Sequence, residues 1–547
     1  MLIFLLSLLF ITEIKSLCLD VKTKYGTLQG RKSRVSKEVV EFLGVPFAKP
    51  PIKGLRFREP KPLKENFYGK GFKATKHANA CYQIIKKINF KGYDTWSPDK
   101  NKMSEDCLKL NMWVPKNVTG AVIVFIFGGQ YIFGSPSVEY YDGSILAEKT
   151  GAIVVNLNYR LGVFGFAYYK GNEKGGIPGN LGLLDQQLGL TWIQENIKSF
   201  GGNPKKVTLF GQGSGSAMAT AHLFSNNSKN LFNKIIALSG TIKNIWAVSR
   251  SDLVEENFRK LISKVKCDGG SLKDEVKCMQ SLKADYLYTK AFYIKNSYQH
   301  VTTAPFIPVD KESVFFEVGK TASEASLFMA FMLNQTSYGC GINFKKSMKS
   351  RENQCLMDDW NYNNVINLLS YDHRITSEGK TKIIQEYKDI AKKSRDKAVR
   401  AISDFGFDCD IQAFATDMDK HFKGNVYSYY FKERSSSNPW PEWMGPMHRY
   451  DLLYLFGYPF KNPKYYKKSE LKYEQSNSLR LMKIIGAFAF DGRIKNELDA
   501  LEREFYGSSK QSKFEINEWN SSSFDKFSKC EFVKSVQEKF RIPNYPY

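Results

Sequence analysis

KKVTLFGQGSGSAMATAHLF, residues 205–224, is the stretch that decides the fold. A short β-branched, apolar run leads straight into a glycine-rich turn, and the turn opens onto a small-residue segment with helical propensity. Two more runs of the first kind lie upstream, AVIVFIF at 121–127 and AIVVNLN at 152–158. Continuous apolar runs this short, bounded by turns, read as parallel strands buried on both faces. Between them and the elbow, GLLDQQLGLTWIQENIKS (182–199) carries Leu183, Leu184, Leu188, Trp192 and Ile193 near helical spacing. Strand, turn and helix in repetition predict an α/β chain with a central, mostly parallel twisted sheet and helices on both faces.

The rest of the chain fits one such domain. Its 547 residues show no internal repeat and no Gly/Ser- or Pro-rich linker, and 42% are hydrophobic, which excludes a collagen-like or largely disordered chain. The second half is more helical and more basic, with amphipathic stretches at 380–402 and 496–505 and a basic, solvated run at 461–472. LIFLLSLLFI (2–11) is too short to span a bilayer and suits a signal-peptide core, so residues 1–16 are expected to be removed and 17–547 to form a single secreted domain. Nine cysteines suit an oxidising compartment, and the sequons at Asn117, Asn226, Asn334 and Asn520 are readable there. A formal charge of +25 favours acidic partners, such as an extracellular protein or an acidic polysaccharide. A secreted chain makes nucleic acid the weakest candidate. No metal or cofactor motif and no transmembrane anchor is read.

A Gly-x-Ser-x-Gly turn after a strand is an elbow that lifts a serine oxygen above the sheet, with glycines letting strand and helix approach. Here the frame is Gly211-Gln212-Gly213-Ser214-Gly215, and no hydroxyl stands at the centre. The surrounding motifs are EFLGVPFAKPP (41–51), SEDCLKLNMWVP (104–115), NYRLGVFGF (158–166), GNLGLLDQQLGLTWIQENIKSFGGNPKKVTLFG (179–211) and WMGPMHRYDLLYLFG (443–457). With them the chain resembles the type-B carboxylesterase and cholinesterase family from about residue 20 to 530. The resemblance implies an α/β-hydrolase fold, disulfides Cys81–Cys107, Cys267–Cys278 and Cys409–Cys530, and an ion pair between Arg56 and Glu105. Cys340 and Cys355 are candidates for an extra local bridge, which leaves Cys18 over.

Carried over residue by residue, the resemblance places Gly213 at the nucleophile and His448 at the histidine. The orienting acid falls in FMLNQTSYGCG, at Tyr338 or Ser337, and between Ala325 and Asn353 the only carboxylate is Glu352. The oxyanion stretch is Phe127-Gly128-Gly129-Gln130-Tyr131, with Gln130 adding a side chain and Ser214 at the third amide donor. His222 reads as a core histidine. Trp96 matches the tryptophan that packs on a choline cation in cholinesterases, so it marks a candidate pocket.

The expectation is a catalytically silent scaffold resembling the neuroligin-, gliotactin- and glutactin-like branch, acting through protein or ligand binding. Loss of the nucleophile alone costs about a million-fold in rate, while glycine relaxes the elbow. The alternatives are an esterase working through Ser214 and His448, or a small-molecule carrier built around Trp96. Gly213→Ser alone is expected to stay near silent, and the triple change with Tyr338→Glu and Gln130→Gly to recover far more hydrolysis of p-nitrophenyl acetate.

Overall fold

The computed structural model describes residues 19–99, 102–295, 304–309, 320–321, 323–333, 335–421, 424–494, 514–518 and 529–542. Its main sheet has seven strands: β1 (Arg31–Lys32), β2 (Val39–Pro46), β3 (Lys109–Pro115), β4 (Val122–Ile126), β5 (Ile153–Leu157), β6 (Val207–Gln212) and β7 (Lys234–Leu238). Across the sheet they run β7-β6-β4-β5-β3-β2-β1. The four strands β7, β6, β4 and β5 are mutually parallel. From β5 outward the ladder is antiparallel, through β3 and β2 to β1. The sheet is therefore mixed, and the parallel half expected from the sequence is the half that carries the elbow. Every residue of β4, β5 and β6 is buried, which is why these strands read as unbroken apolar runs.

Helix α1 (Leu181–Asn196) follows the expected register, and residues 197–200 tighten into a 3₁₀ turn that stops at Gly201, φ 86°. Helix α2 (Ser214–Ala221) follows β6 directly. Farther along come α3 (Glu324–Met332), α4 (Ser377–Glu386), α5 (Ser394–Ser403), α6 (Cys409–His421), α7 (Leu471–Asp491) and α8 (Cys530–Lys539). The amphipathic stretch 380–402 thus forms two helices rather than one, broken around residues 387–393. The stretch 496–505 lies outside the described residues, as do residues 1–16 expected to be a leader, Cys18, Asn334 and Asn520. Asn117 and Asn226 are both exposed. Among the described residues, no helix is long and apolar enough to cross a membrane.

Among the described residues four disulfides close: Cys81–Cys107, Cys267–Cys278, Cys340–Cys355 and Cys409–Cys530. The last joins α6 to α8 across 121 residues and, in the chain-entropy view, restricts the unfolded chain by roughly 4–5 kcal/mol. Arg56 meets Glu105 through two hydrogen bonds of 2.7 Å, and its remaining donors reach the carbonyls of Met279 and Leu282.

The turn after β5 is pinned by a buried fork. Arg160 donates from Nε and Nη2 to the two oxygens of Asp185 at 2.8 and 2.7 Å, and its backbone N–H adds a third bond to that carboxylate. Neither side chain is more than 4% exposed. Removing one partner strands a buried charge, whereas removing both does not. Asp185→Ala is expected to lower unfolding free energy by about 3–5 kcal/mol in urea titration. The double change Arg160→Met/Asp185→Leu should cost less than that single one.

Candidate active site

Two glycines shape the elbow. A Cβ on Gly211 would lie 2.5 Å from the Gly215 carbonyl oxygen, and one on Gly215 would lie 2.1 Å from the Ile126 carbonyl oxygen. Only bare backbone lets α2 sit this close to β4 and β6. Between them Gly213 adopts φ 57°, ψ −126°. A Cβ there would meet a single side chain, His448, with Nε2 at 3.0 Å. A side chain at the centre of the elbow would point at the imidazole, which would have to give by a few tenths of an ångström, and none is present.

His448 is brought in by tertiary pairing. Its neighbour Met447 bridges to Ser323, and the Ser323 N–H donates to the Pro446 carbonyl, which sets the loop against the start of α3. Glu324 is the first residue of α3. Its Oε2 lies 2.5 Å from His448 Nδ1, while its Oε1 accepts from the Ser239 hydroxyl at 2.7 Å. Glu324 is fully buried and His448 nearly so. The acid facing the histidine is therefore Glu324, and the expected substitution of that position by Tyr338 or Ser337 is corrected. Tyr338 sits in a turn whose N–H donates to Gln335, and Ser337 gives its carbonyl to Asn361 and Asn364. The reason is register: the acid lies one residue before the searched window, at the start of a helix rather than in the loop beyond it. A lone Glu heading the otherwise apolar EASLFMAFM was the signal. A buried acid at a helix N-terminus is favoured by the peptide dipoles.

On its other side, His448 Nε2 lies 2.8 Å from the side-chain amide nitrogen of Gln212. With the amide donating, Nε2 is the acceptor and the ring proton sits on Nδ1, donated to Glu324. The atom a nucleophile's hydroxyl would address is thus engaged by Gln212.

Ser214 does not face the histidine. Its Oγ accepts from the Gly129 N–H at 3.0 Å and, more weakly, from the Tyr131 N–H at 3.4 Å. These amides belong to the turn read as the oxyanion stretch, where Gly129, Gln130 and Tyr131 all take positive φ. The oxygen filling this turn comes from Ser214, the residue just past the elbow's centre, and Gln130 lines the cavity beside it. Gly128 belongs to the same close packing, since a Cβ there would lie 2.1 Å from the Gln212 carbonyl oxygen. His222 is indeed a core residue, bonded to Ser228 and Gln186, and burial pushes it down to about 4.

The elbow opens into a cavity of about 540 Å³, lined among others by Gly213, His448, Trp96, Phe331 and Trp440. Trp96 is buried against Tyr140, with centroids 4.4 Å apart. The Arg449 guanidinium lies over its ring, 5.2 Å from the centroid.

Comparison with known proteins matches residues 18–533 to the carboxylesterase family. An acetylcholinesterase 4 of Caenorhabditis briggsae is 34% identical over 86% of this chain and 81% of its own length. A cholinesterase of Mus musculus is 33% identical over 83% and 76%, and an acetylcholinesterase of Electrophorus electricus is 31% identical over 88% and 81%.

Three residues beyond the histidine lies Asp451, fully buried, its Oδ1 accepting the Leu452 N–H. Burial, reinforced by the charge of Glu324, pushes this carboxyl up to about 7 from 3.8. The unfolded chain releases the proton above pH 4 while the folded chain holds it, so this group's contribution to stability falls from about pH 4 to 7 and stays low above. Asp451→Asn removes that loss. It should raise the melting temperature at pH 8, with a gain on the order of a few kcal/mol, and have much less effect at pH 4.

Proposed function

Because the chain belongs to the carboxylesterase family and lacks the hydroxyl at a well-formed elbow, we propose that it is a secreted, non-hydrolytic binding protein of that family, working through its cavity. One observation carries this reading: the three positions that would run acyl transfer are taken up by the protein itself. Gly213 offers no nucleophile, Gln212 engages His448 Nε2, and Ser214 Oγ accepts from the amides of the oxyanion turn. The family's activity is hydrolysis of carboxylic esters, and a scaffold that keeps the His448–Glu324 pair without a nucleophile retains the binding space and not the first covalent step. This supports reading the chain as one of the silent, recognition-type members, and its four disulfides support an extracellular setting. The excess of cations extends the preference to acidic surface partners.

Rescue through Ser214 is disfavoured, since using its oxygen as a nucleophile requires leaving two amide donors unpaired. The purified protein is expected to resist labelling by a fluorophosphonate and to leave p-nitrophenyl acetate at its background rate. Labelling of the native chain that disappears in Ser214→Ala would falsify the reading. The intact acid also changes what restores chemistry: Gly213→Ser supplies the hydroxyl, yet Ser214 still fills the oxyanion turn. Gly213→Ser/Ser214→Ala should therefore exceed Gly213→Ser by roughly a hundred- to a thousand-fold in ester hydrolysis, the worth of an oxyanion donor. Tyr338→Glu should add nothing.

A further inference from the structure

We propose that the cavity beside the elbow is a receptor for an anionic amphiphile, a monocarboxylate with an apolar or aromatic body, held by Arg449. The proposal deepens the binding role above and rests on that reading for the protein's purpose, though its chemistry stands on separate observations.

Arg449 is 9% exposed and lines the cavity. Its backbone sits at φ 79°, in the left-handed region that favours glycine, so a long cationic side chain is kept where conformation disfavours it. Such strain gathers at functional positions. Among the described residues no ion pair is made by Arg449, and its Nε has no hydrogen-bond partner. A guanidinium withdrawn from water without a counter-ion is a strong anion acceptor, and its planar fork matches a carboxylate with two parallel bonds.

The walls agree with that choice. The guanidinium lies over Trp96 and, at 5.6 Å, over Phe133, so the aromatic face that would attract an incoming cation already carries an internal one. Among the described residues no Asp or Glu lines the cavity, whereas Lys86, exposed at the same cavity, adds a second positive charge. The nearby acids are turned elsewhere: Glu324 holds His448 and Ser239, and Asp451 accepts from Leu452. A quaternary ammonium would thus find a like charge on its aromatic platform and no carboxylate. The remaining space, about 540 Å³ walled by aromatic rings such as Phe331 and Trp440, has the size and character of a site for an apolar body of drug-like dimensions.

The test uses the full-length secreted chain and three probes of one chain length: decanoate, methyl decanoate and decyltrimethylammonium. Binding is followed by calorimetry and by the fluorescence of the tryptophans lining the cavity. Decanoate is expected to bind at least ten-fold more tightly than either other probe. Arg449→Gln should abolish that preference, and Arg449→Lys should keep part of it. Near-UV circular dichroism and melting temperature establish that each variant is folded. If Arg449→Gln does not fold, Arg449→Lys together with the salt dependence of decanoate binding decides. Tighter binding of the ammonium, equal binding of all three, decanoate affinity indifferent to Arg449, or no binding at all overturns the proposal. Conversion of methyl decanoate to decanoate by the native chain would instead overturn the non-hydrolytic reading, leaving the anion preference to be judged on affinity.

Discussion

The approach of one helix to two strands is the constraint on which the site depends. Gly211 and Gly215 bring backbone within distances that no Cβ tolerates, so α2 starts directly above the carboxyl ends of β4 and β6. That contact sets the backbone of Gly213 and aims the next residue, Ser214, at the turn after β4. With this geometry in place, whether the elbow does chemistry is decided by which atoms stand at three positions. Here the hydroxyl stands one residue along the chain from the nucleophile's seat, in the oxyanion's. The same functional group therefore completes a hydrogen-bonded core where it could have opened a reaction. Buried amides need acceptors, and Ser214 supplies one.

Beside this closed constellation lies an open one. Glu324 and His448 satisfy each other's hydrogen bonds, with Gln212 capping the free nitrogen, and the set is complete without any ligand. Arg449, the next residue, is the opposite case: buried, left-handed and without an anion among the described residues. The adjacent pair divides the cavity into an electrostatically satisfied wall and an unsatisfied floor. On the proposed reading, a group binding here gains from the floor, so the polarity of a ligand and not its reactivity is what the cavity would discriminate.

Much of the fold was legible in the chain. Strands at 121–127, 152–158 and 205–210 appear at 122–126, 153–157 and 207–212, because strands buried on both faces must be apolar throughout. The antiparallel half of the sheet was not seen, since β2 and β3 lie early in the chain among turns, and the pairings of β3 with β2 and with β5 join segments far apart in the chain. At the site, Gly213 and His448 could be read from their flanking motifs. The acid could not, because helix and loop boundaries near residue 324 are set by the pairing of Ser323 with Met447, more than a hundred residues away in sequence.

The sequence by itself determined that the elbow exists and that its centre has no hydroxyl, because glycine spacing and side-chain identity are local facts. Only the tertiary structure decided that the histidine keeps its acid in Glu324, that Ser214 fills the oxyanion turn, and that Arg449 lies over Trp96. Each of these is a contact between segments far apart in the chain, and the direction of a side chain across such a distance follows from packing, which no local pattern encodes.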